Sequence, residues 1–430
     1  MIGIRSITFN LPDRLADAHF GRMQKAILRW SAGQWKIRTY RANLVPVCAP
    51  QSLEGYRDLA AVCAELGIRW FNVPLDPWRA KSPKSLFTFG AHILRTFSQA
   101  FVNVIGVKEN RINFEILNQS ARLIQQVSAI SFNGQDNFRL GMSFNIAANG
   151  PFFPFTMSSG EPGFSIALEL TQTVNDLLAE WDGRSLQELR AGLREKILAR
   201  LEPVGKMAAQ VAADVGLAFQ GFDFSLAPIN EANGSVLPLL QRLGVSRFGV
   251  AGTLFATAFL TDLLKSFGTV HKPLGFCGVM YSLLEDLGLC ALNNEHGISI
   301  EQLVSASSLC GCGLDMVPVY GRVTEAEVMA VAGDVAALSI RLNKPLGFRL
   351  LPIPHAQNAD GGSYTNFSND ADFVANTKIV PLASGGASNL VREPEFQYLT
   401  SPGLRPQNAG GPSSQSAWAH LGSRKAEHES

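Results

Sequence analysis

The sequence has no excess of charge of either sign. Its 37 lysines and arginines are matched by 36 aspartates and glutamates, which leaves a formal net charge of +1. Proteins that bind nucleic acids or anionic membranes usually carry a basic excess, because they must neutralise phosphate groups. We therefore expect neither a nucleic acid nor a membrane as a partner.

Cysteine is sparse, and its spacing excludes the common cysteine-based sites. The six cysteines are Cys48, Cys63, Cys277, Cys290, Cys310 and Cys312. They form neither a disulfide framework nor the paired Cys-x-x-Cys knuckles of a zinc site. Phosphate-loop, dinucleotide-binding, zinc-protease and nucleophile-elbow patterns are missing as well. We expect a reducing, cytoplasmic setting, with no metal and no cofactor.

Long apolar stretches are also lacking. The longest run, Phe248–Leu264, includes Thr253, Thr257 and Asp262. It falls short of the roughly 20 apolar residues that cross a bilayer, so we predict a buried helix or a strand followed by a helix. The first residues, MIGIRSITFNLP, lack a basic segment followed by an apolar one, and we expect no secretory leader.

What the sequence does contain is an alternation of strand-like and helix-like segments. We predict strands at Ile4–Asn10, Lys36–Tyr40 and Trp70–Leu75, separated by helices at Asp13–Arg29 and Leu53–Leu66. Such βαβαβ alternation is typical of parallel strands joined by crossover helices. A chain of 430 residues allows two or three α/β domains or one large α/β barrel.

Helix starts are marked by three capping boxes further along the chain. They are Ser185-x-x-Glu188, Ser299-x-x-Gln302 and Thr324-x-x-Glu327. The third predicts a helix over Glu325–Leu342, and a strand over Gly347–Ile353 follows. From about Ser384 the chain becomes rich in Gly, Ser and Pro, and we predict a disordered or loosely attached tail there.

The segment Ser305–Gly321, with the sequence SASSLCGCGLDMVPVYG, is the main candidate for a site. Its glycines permit tight turns and close backbone approach. Cys310 and Cys312 are either a thiolate nucleophile or redox pair on a glycine-rich loop, or small apolar side chains packed beside a turn. Asp315 either caps the following turn or faces a pocket.

Further candidates lie on predicted strands. Asp223 and Ser225 share one face of the apolar segment AFQGFDFSL, which suggests that they line a cavity, although an exposed face is the alternative. Arg349, inside the strand FRLLP, needs a counter-charge if it is buried, and Asp223 and Asp315 are the natural choices. Asn145, at the end of a predicted strand, is a further candidate binding residue. Glu285 and Asp286 are predicted near a helix C-terminus, an unfavourable position for acids.

Seven segments, in order along residues 1 to about 382, together match a known pattern. They are GIRSITFNLP, PFFPFTMSSGEPGFSIALE, GFDFSLAPI, SRFGVAGTLFATAFLTDLL, GFCGVMYSLLEDLGL, SSLCGCGLDMVPVYG and DVAALSIRLNKPLGFRLLPIP. With them the chain resembles the uncharacterised bacterial and archaeal family called domain of unknown function 711. The block around Cys310 is the most specific of the seven.

The resemblance implies a fold. The family is similar to the pyruvate formate-lyase-type glycyl radical enzymes, which have a ten-stranded α/β barrel with the active cysteine on a central loop. It thus implies one α/β barrel-like domain with surrounding helices over residues 1–383, followed by the tail 384–430. The Arg-Val-x-Gly-Tyr type block of the radical enzymes is missing, so we expect no glycyl radical.

Two positions depart from the family pattern. Cys312 stands where relatives often have threonine. His355 and Ala356 stand where relatives often have glycine and lysine. These changes bear on whether activity is retained.

The function that we expect is that of an enzyme acting on a small polar or anionic metabolite in a barrel-centred cavity. The alternative is a non-catalytic metabolite-binding or regulatory protein. An assembly of identical subunits is compatible with either. The candidate catalytic residues are Cys310, Asp315 and Asp223, and the candidate ligand-binding residues are Arg349, Ser225, Asn145 and Cys312.

Overall fold

Twelve strands and eleven α-helices are found in the described part of the chain. The computed structural model describes residues 2–13, 17–181, 185–356, 363–367, 374–382 and 394–398, and the fold below is that of the unit Met1–Gln397. The strands are β1 (Gly3–Asn10), β2 (Ile37–Asn43), β3 (Ile68–Leu75), β4 (Ala100–Ile105), β5 (Val107–Lys108), β6 (Arg111–Asn113), β7 (Leu140–Phe144), β8 (Gly163–Glu169), β9 (Ala218–Asp223), β10 (Gly313–Tyr320), β11 (Leu346–Ile353) and β12 (Glu395–Gln397). The helices are α1 (Asp17–Ser31), α2 (Glu54–Glu65), α3 (Pro83–Thr96), α4 (Phe114–Ser128), α5 (Leu170–Ala179), α6 (Leu186–Val215), α7 (Leu237–Arg242), α8 (Thr253–Lys265), α9 (Leu287–His296), α10 (Ile300–Ser307) and α11 (Glu325–Leu342).

Nine of these strands form one sheet, in the order β10-β11-β7-β4-β3-β2-β1-β8-β9. The five strands from β7 to β1 run parallel to one another. The flanking pairs, β10 with β11 and β8 with β9, are also parallel internally but antiparallel to that block. The predicted α/β class is confirmed. Among the described residues, regular strand pairing accounts for these nine strands and not for a closed ten-stranded barrel.

An irregular segment, residues 272–282, lies between the two edges of the sheet. It forms parallel bridges to Phe222 and Leu226, at and beyond the end of β9. At its other end, Ser282 bridges in parallel to Asp315 in β10. One segment therefore contacts both edge strands, although only through isolated bridges.

A row of asparagines, at the carboxyl ends of β1 and β2 and inside β3 and β4, anchors the segment that contains Thr156. Asn43 donates to Asn10 at 2.9 Å, and Asn72 donates to Asn43 at 3.2 Å. Asn72 and Asn103 both donate to the carbonyl of Thr156, at 2.8 and 3.1 Å. Buried amides need such partners. The row thereby fixes the chain just after three phenylalanines that matter for the site.

The helix starts predicted from capping boxes are confirmed. Helices α6, α10 and α11 each begin with both reciprocal hydrogen bonds of the motif. The predicted position of Glu285 and Asp286 was wrong. Both precede α9, and the Asp286 side chain accepts hydrogen bonds from Gly288 N and Leu289 N, so it caps the start of that helix.

The described part of the predicted tail is short. Of residues 384–430, the structure describes 394–398, and β12 pairs there with β6. The rest of the predicted tail lies outside the described residues. No helix in the described ranges is long and apolar enough to cross a membrane, and the apolar run at Phe248–Leu264 contains most of α8.

Candidate functional site

The cysteine-bearing segment is a short loop that leads directly into a strand. Within the candidate segment Ser305–Gly321, the glycine-rich loop with Cys310 and Cys312 is short, because β10 begins at Gly313. Gly311 packs against the irregular segment: a Cβ there would lie 3.0 Å from the Gly278 backbone. Gly313 has a φ of +83°. Glycine is needed at both positions, for close approach and for backbone conformation respectively.

Asp315 does not cap a turn but pairs with Arg349. Arg349 Nε donates to Asp315 Oδ1 at 2.7 Å, and Nη2 donates to Oδ2 at 3.0 Å. Arg349 Nη2 also reaches Glu285 at 3.2 Å, and Arg5 donates to the other Glu285 oxygen at 2.7 Å. All four side chains are buried. Burial raises the pKa of Glu285, and the two arginines oppose that effect.

Arg41 is a third buried arginine in the same place, and its partners are neutral. It donates to Thr39 Oγ1 at 3.0 Å and to the Pro151 carbonyl at 3.4 Å. Its guanidinium lies 5.0 Å from the ring centroid of Trp70 and 5.4 Å from that of Phe153. No carboxylate of the described residues forms an ion pair with it. Burial, together with the charge of neighbouring Arg5, lowers the pKa of Arg41 to about 9, and the more weakly acting charge of Glu285 opposes this shift.

These groups border one cavity. The charged residues in its wall are Arg5, Arg41, Arg349, Asp315 and Glu285, and the aromatic ones are Trp70, Phe101, Phe138, Phe152, Phe153, Phe155 and Phe276. The space open to the centre of a water molecule is about 30 Å³. That is room for two or three waters, since one needs roughly 10–15 Å³ by this measure. In ionised form, three cations against two anions leave one positive charge in excess.

Ser282 also borders the cavity, and its hydroxyl is buried without a hydrogen-bond partner among the described residues. Ser282 is 1% exposed. An unsatisfied buried hydroxyl is unfavourable by about 1–3 kcal/mol. Together with Arg41, it gives the cavity an unfilled donor and an uncompensated cation, which are features of a site for a polar ligand.

The two candidate cysteines differ in position. Cys312 is part of the cavity wall, whereas Cys310 is not. Both thiols are fully buried and point at one carbonyl oxygen, that of Gly313, at 3.8 and 3.6 Å. The neighbouring Cys312 thiol, as a hydrogen-bond donor, and the charge of Lys344 together lower the pKa of Cys310 to about 6, against the opposing effect of burial. Burial correspondingly raises the pKa of Cys312 well above its usual value.

Asp223 and Ser225 are not part of this cavity. Asp223 accepts hydrogen bonds from Ser225 Oγ at 2.5 Å, from Phe276 N at 2.7 Å and from Cys277 N at 3.2 Å. Burial raises the pKa of Asp223, although these hydrogen bonds oppose the shift. Asp223 borders a second, smaller cavity, which shares the walls Phe152, Phe155 and Phe276 with the first. Its carboxylate holds the irregular segment 272–282 in place.

Asn145 lies away from the walls of both cavities. It has a φ of +50°, and its side-chain amide donates to Ser339 O and Oγ, both at 3.1 Å. It therefore links the end of β7 to helix α11. Of the residues singled out in the sequence, the structure brings Cys312, Asp315 and Arg349 to one cavity and leaves Asp223, Ser225 and Asn145 outside it.

Four charged or hydroxyl-bearing residues of the cavity escaped the sequence analysis as site residues: Arg5, Arg41, Ser282 and Glu285. Arg5 and Arg41 stand in the strands IRSITFN and IRTYRAN, where alternating polar residues usually indicate a solvated face. The usable signal was that β1 and β2 lie inside a mostly parallel sheet. Both faces of such strands are covered, so their arginines must be buried.

The chain matches the family described as "Uncharacterised ACR (DUF711)" over residues 51–368. It belongs to this family. Curated relatives include a "UPF0210 protein" of Pyrobaculum arsenaticum, 30% identical over 59% of this chain and 57% of the relative. Another, from Acetivibrio thermocellus, is 27% identical over 60% of this chain and 59% of the relative.

The family membership confirms the resemblance seen in the quoted segments. A further "UPF0210 protein", from Limosilactobacillus reuteri, is 26% identical over 70% of this chain and 68% of the relative. The chain thus spans less than two thirds of the length of the first two relatives named. Their names specify no reaction, so the function must be argued from the cavity.

Proposed function

We propose that this DUF711 protein is an enzyme acting on a small anionic metabolite that binds in the buried cavity against Arg41. The observation that carries the proposal is the fully buried guanidinium of Arg41, which lies beside Arg5 and contacts only neutral groups. A buried charge without a counter-ion is costly, and an anionic ligand would supply the missing charge. The unpartnered hydroxyl of Ser282 offers a second contact.

The size and walls of the cavity limit the ligand. With about 30 Å³ open to water, it accepts an anion of a few heavy atoms unless side chains move. Its wall combines a cationic group with several aromatic rings, which is the usual make-up of a specific ligand site. A planar carboxylate or a small oxyanion fits the planar guanidinium of Arg41 best, because both can accept two parallel hydrogen bonds.

The thiol that borders the cavity is that of Cys312. Asp315 and Glu285 are engaged by arginines and are poorly suited to proton transfer. In this proposal Cys312 contacts the ligand, Cys310 stabilises charge behind it, and the Asp315–Arg349 pair positions the wall. Asp223 acts indirectly, by holding the segment that carries Phe276.

The same engagement of both carboxylates favours the second candidate, a non-catalytic binding or regulatory protein. A carboxylate held in a buried ion pair is stabilised in its ionised state, whereas general acid–base catalysis requires it to gain and lose a proton. The departures at Cys312 and His355 from the family pattern point the same way. Both candidates require anion binding at Arg41 and differ only in turnover.

One experiment tests both candidates. Purified protein and its Arg41→Gln variant are incubated with a small-metabolite extract, and the bound and free fractions are profiled by mass spectrometry. Depletion of an anion by the parent protein alone supports the enzyme. Retention without depletion, again lost in Arg41→Gln, supports the binding protein. If no anion is retained or consumed in an Arg41-dependent way, both candidates are wrong.

We further propose that residues 272–282 are the tenth strand of a closed barrel of the glycyl radical enzyme type. Parallel bridges to both β9 and β10 support this, because they extend the parallel pairs β8-β9 and β10-β11 into one block of five. The cavity would then lie inside the barrel. An experimental structure in which this segment contacts only one of the two edge strands would refute it.

We assign the protein to the cytoplasm because its cysteine spacing lacks a disulfide framework.

A further inference from the structure

The two thiols of the Cys310-Gly311-Cys312 segment are close together and bounded by a cavity. Both sulfur atoms lie within 3.8 Å of the same acceptor, the Gly313 carbonyl oxygen, which places the two thiols side by side. Gly311 carries no side chain between them. Cys312 faces the cavity, so a small molecule there meets the outer thiol of a pair.

We propose that Cys310 and Cys312 are a redox-active dithiol, which a small hydroperoxide entering the cavity oxidises to an intramolecular disulfide. The assignment goes beyond the proposed function, and only the ligand-protection experiment below rests on anion binding.

The surroundings favour a reactive thiolate. Lys344, whose ammonium group donates to the Ser307 carbonyl at 2.9 Å, adds positive charge near the pair. The pKa of Cys310 is lowered and that of Cys312 is raised, so the two sulfurs share one proton at neutral pH. A thiolate, and not a thiol, attacks peroxides. Transfer of that proton to Cys310 leaves the thiolate on Cys312, the sulfur that borders the cavity.

The reaction balances without a further co-reactant. The Cys312 thiolate attacks one oxygen of the peroxide and forms an S–O bond. The O–O bond breaks, the other oxygen leaves as hydroxide, and Cys312 becomes a sulfenic acid. Cys310 then loses its proton and attacks the Cys312 sulfur. The S–O bond breaks, and the leaving hydroxide combines with that proton to give water. Hydrogen peroxide is reduced by two electrons, and the dithiol is oxidised to a disulfide, which an external thiol can reduce again.

The size of the cavity makes the reaction selective for the oxidant. Hydrogen peroxide has two heavy atoms and fits a space that holds two or three waters, whereas oxidised glutathione does not. The other cysteines are poor competitors. Burial raises the pKa of Cys63 and of Cys277 to about 12 and that of Cys290 higher still, so they remain protonated. Cys48 is partly exposed and is best replaced.

The test uses the full chain with Cys48→Ser. The reduced protein is treated with hydrogen peroxide, unreacted peroxide is removed, and the unfolded protein is alkylated. We expect the intact protein to lose two hydrogens in mass and two of its five remaining thiols, with the link mapped to the peptide containing Cys310 and Cys312. Oxidised glutathione should not produce this species in the folded protein.

Variants separate this pair from other thiols. In Cys310→Ser no disulfide should form, and Cys312 should react with peroxide much more slowly than in the parent, because no neighbouring thiolate takes up its proton. Cys63→Ser, at another buried cysteine, should react like the parent. The proposal is wrong if peroxide leaves both thiols free, if it links other cysteines, or if oxidised glutathione reacts equally fast.

Ligand protection connects the dithiol to the cavity. Sulfate or acetate at saturating concentration should slow oxidation of the parent at least fivefold and leave the rate in Arg41→Gln unchanged. Disulfide formation without protection would refute anion binding there while leaving the dithiol intact. If the anions slow oxidation of the protein but no disulfide forms, the dithiol is refuted and anion binding at Arg41 is left intact.

Discussion

Arg41 and Arg349 border the same buried cavity, but only Arg349 has carboxylate partners. Arg349 donates to Asp315 and Glu285, whereas Arg41 donates to a hydroxyl and a backbone carbonyl. Removal of the charge therefore has opposite consequences at the two positions. At Arg349 it leaves buried anions uncompensated, and at Arg41 it relieves an uncompensated cation.

We predict that Arg41→Met leaves the unliganded protein as stable as the parent or more stable by about 1 kcal/mol, because a desolvated charge is replaced by an apolar chain of similar length. The same variant should lose any increase in melting temperature that small carboxylates or sulfate cause in the parent. Urea unfolding and thermal scans measure the two effects. Arg41→Lys, which keeps the charge, is the control and should retain part of the anion-induced increase. A loss of more than about 2 kcal/mol in Arg41→Met would indicate a structural role for the charge.

We predict that Arg349→Met destabilises the protein by about 3–5 kcal/mol, because Asp315 and one oxygen of Glu285 lose their charged partner. The double variant Arg349→Met, Asp315→Leu should recover part of that loss, since it removes one of the stranded anions. Equilibrium urea unfolding of the two variants gives the comparison. A double variant less stable than Arg349→Met would contradict the ion-pair explanation.

Asp223 offers a test of a residue that the sequence placed in the catalytic set. Its oxygens accept hydrogen bonds from the backbone N–H groups of Phe276 and Cys277. We predict that Asp223→Ala lowers the free energy of unfolding by about 1–3 kcal/mol, because these buried donors lose their acceptor. Ser225→Ala removes one donor to the same carboxylate and should cost less. Urea unfolding ranks the two variants, and an Asp223→Ala protein of parental stability would count against the structural role.

The sequence predicted local elements well, because they depend on neighbouring residues. The capping boxes at Ser185, Ser299 and Thr324 each started a helix, since the motif satisfies the first backbone donors wherever it stands. The pairing of Arg349 was narrowed to Asp223 or Asp315 by the need for a buried counter-charge. Only the strand order places Asp315 in β10, directly beside β11, and so decides between the two.

The cavity was harder to predict, because periodicity cannot tell a cavity-facing surface from a solvated one. Arg41 alternates with apolar residues in β2 as it would in a half-exposed strand. The position of Glu285 depended on where a helix begins. The segment before it forms isolated bridges and a 3-10 turn, and neither has a clear sequence pattern. The site therefore had to be found from packing across strands that are distant in sequence.

The shared proton of the Cys310–Cys312 pair predicts a pH dependence of stability. A hydrogen bond from Cys312, helped by Lys344, lowers the pKa of Cys310 to about 6 in the folded protein, against about 8.5 for an unfolded cysteine. Between these values the unfolded chain binds one proton more than the folded protein does. The contribution of this thiolate to stability is therefore fully present above about pH 8.5 and is lost as the pH falls through about 6.

We expect the difference in unfolding free energy between the parent and Cys310→Ser to increase from pH 5.5 to pH 8.5, by at most about 1.4 kcal/mol per pH unit. Urea unfolding at several pH values measures it. Cys63→Ser is the matched control: burial raises the pKa of Cys63 to about 12, so its contribution should stay constant over this range and decline only above it. Of the groups that also face the pair, Asp315 favours the protonated form of Cys312 by its charge, whereas a hydrogen bond with the Tyr281 backbone opposes this effect. A difference for Cys310→Ser that stays constant with pH would mean that both thiols are neutral, and the peroxide reaction would then lack its nucleophile.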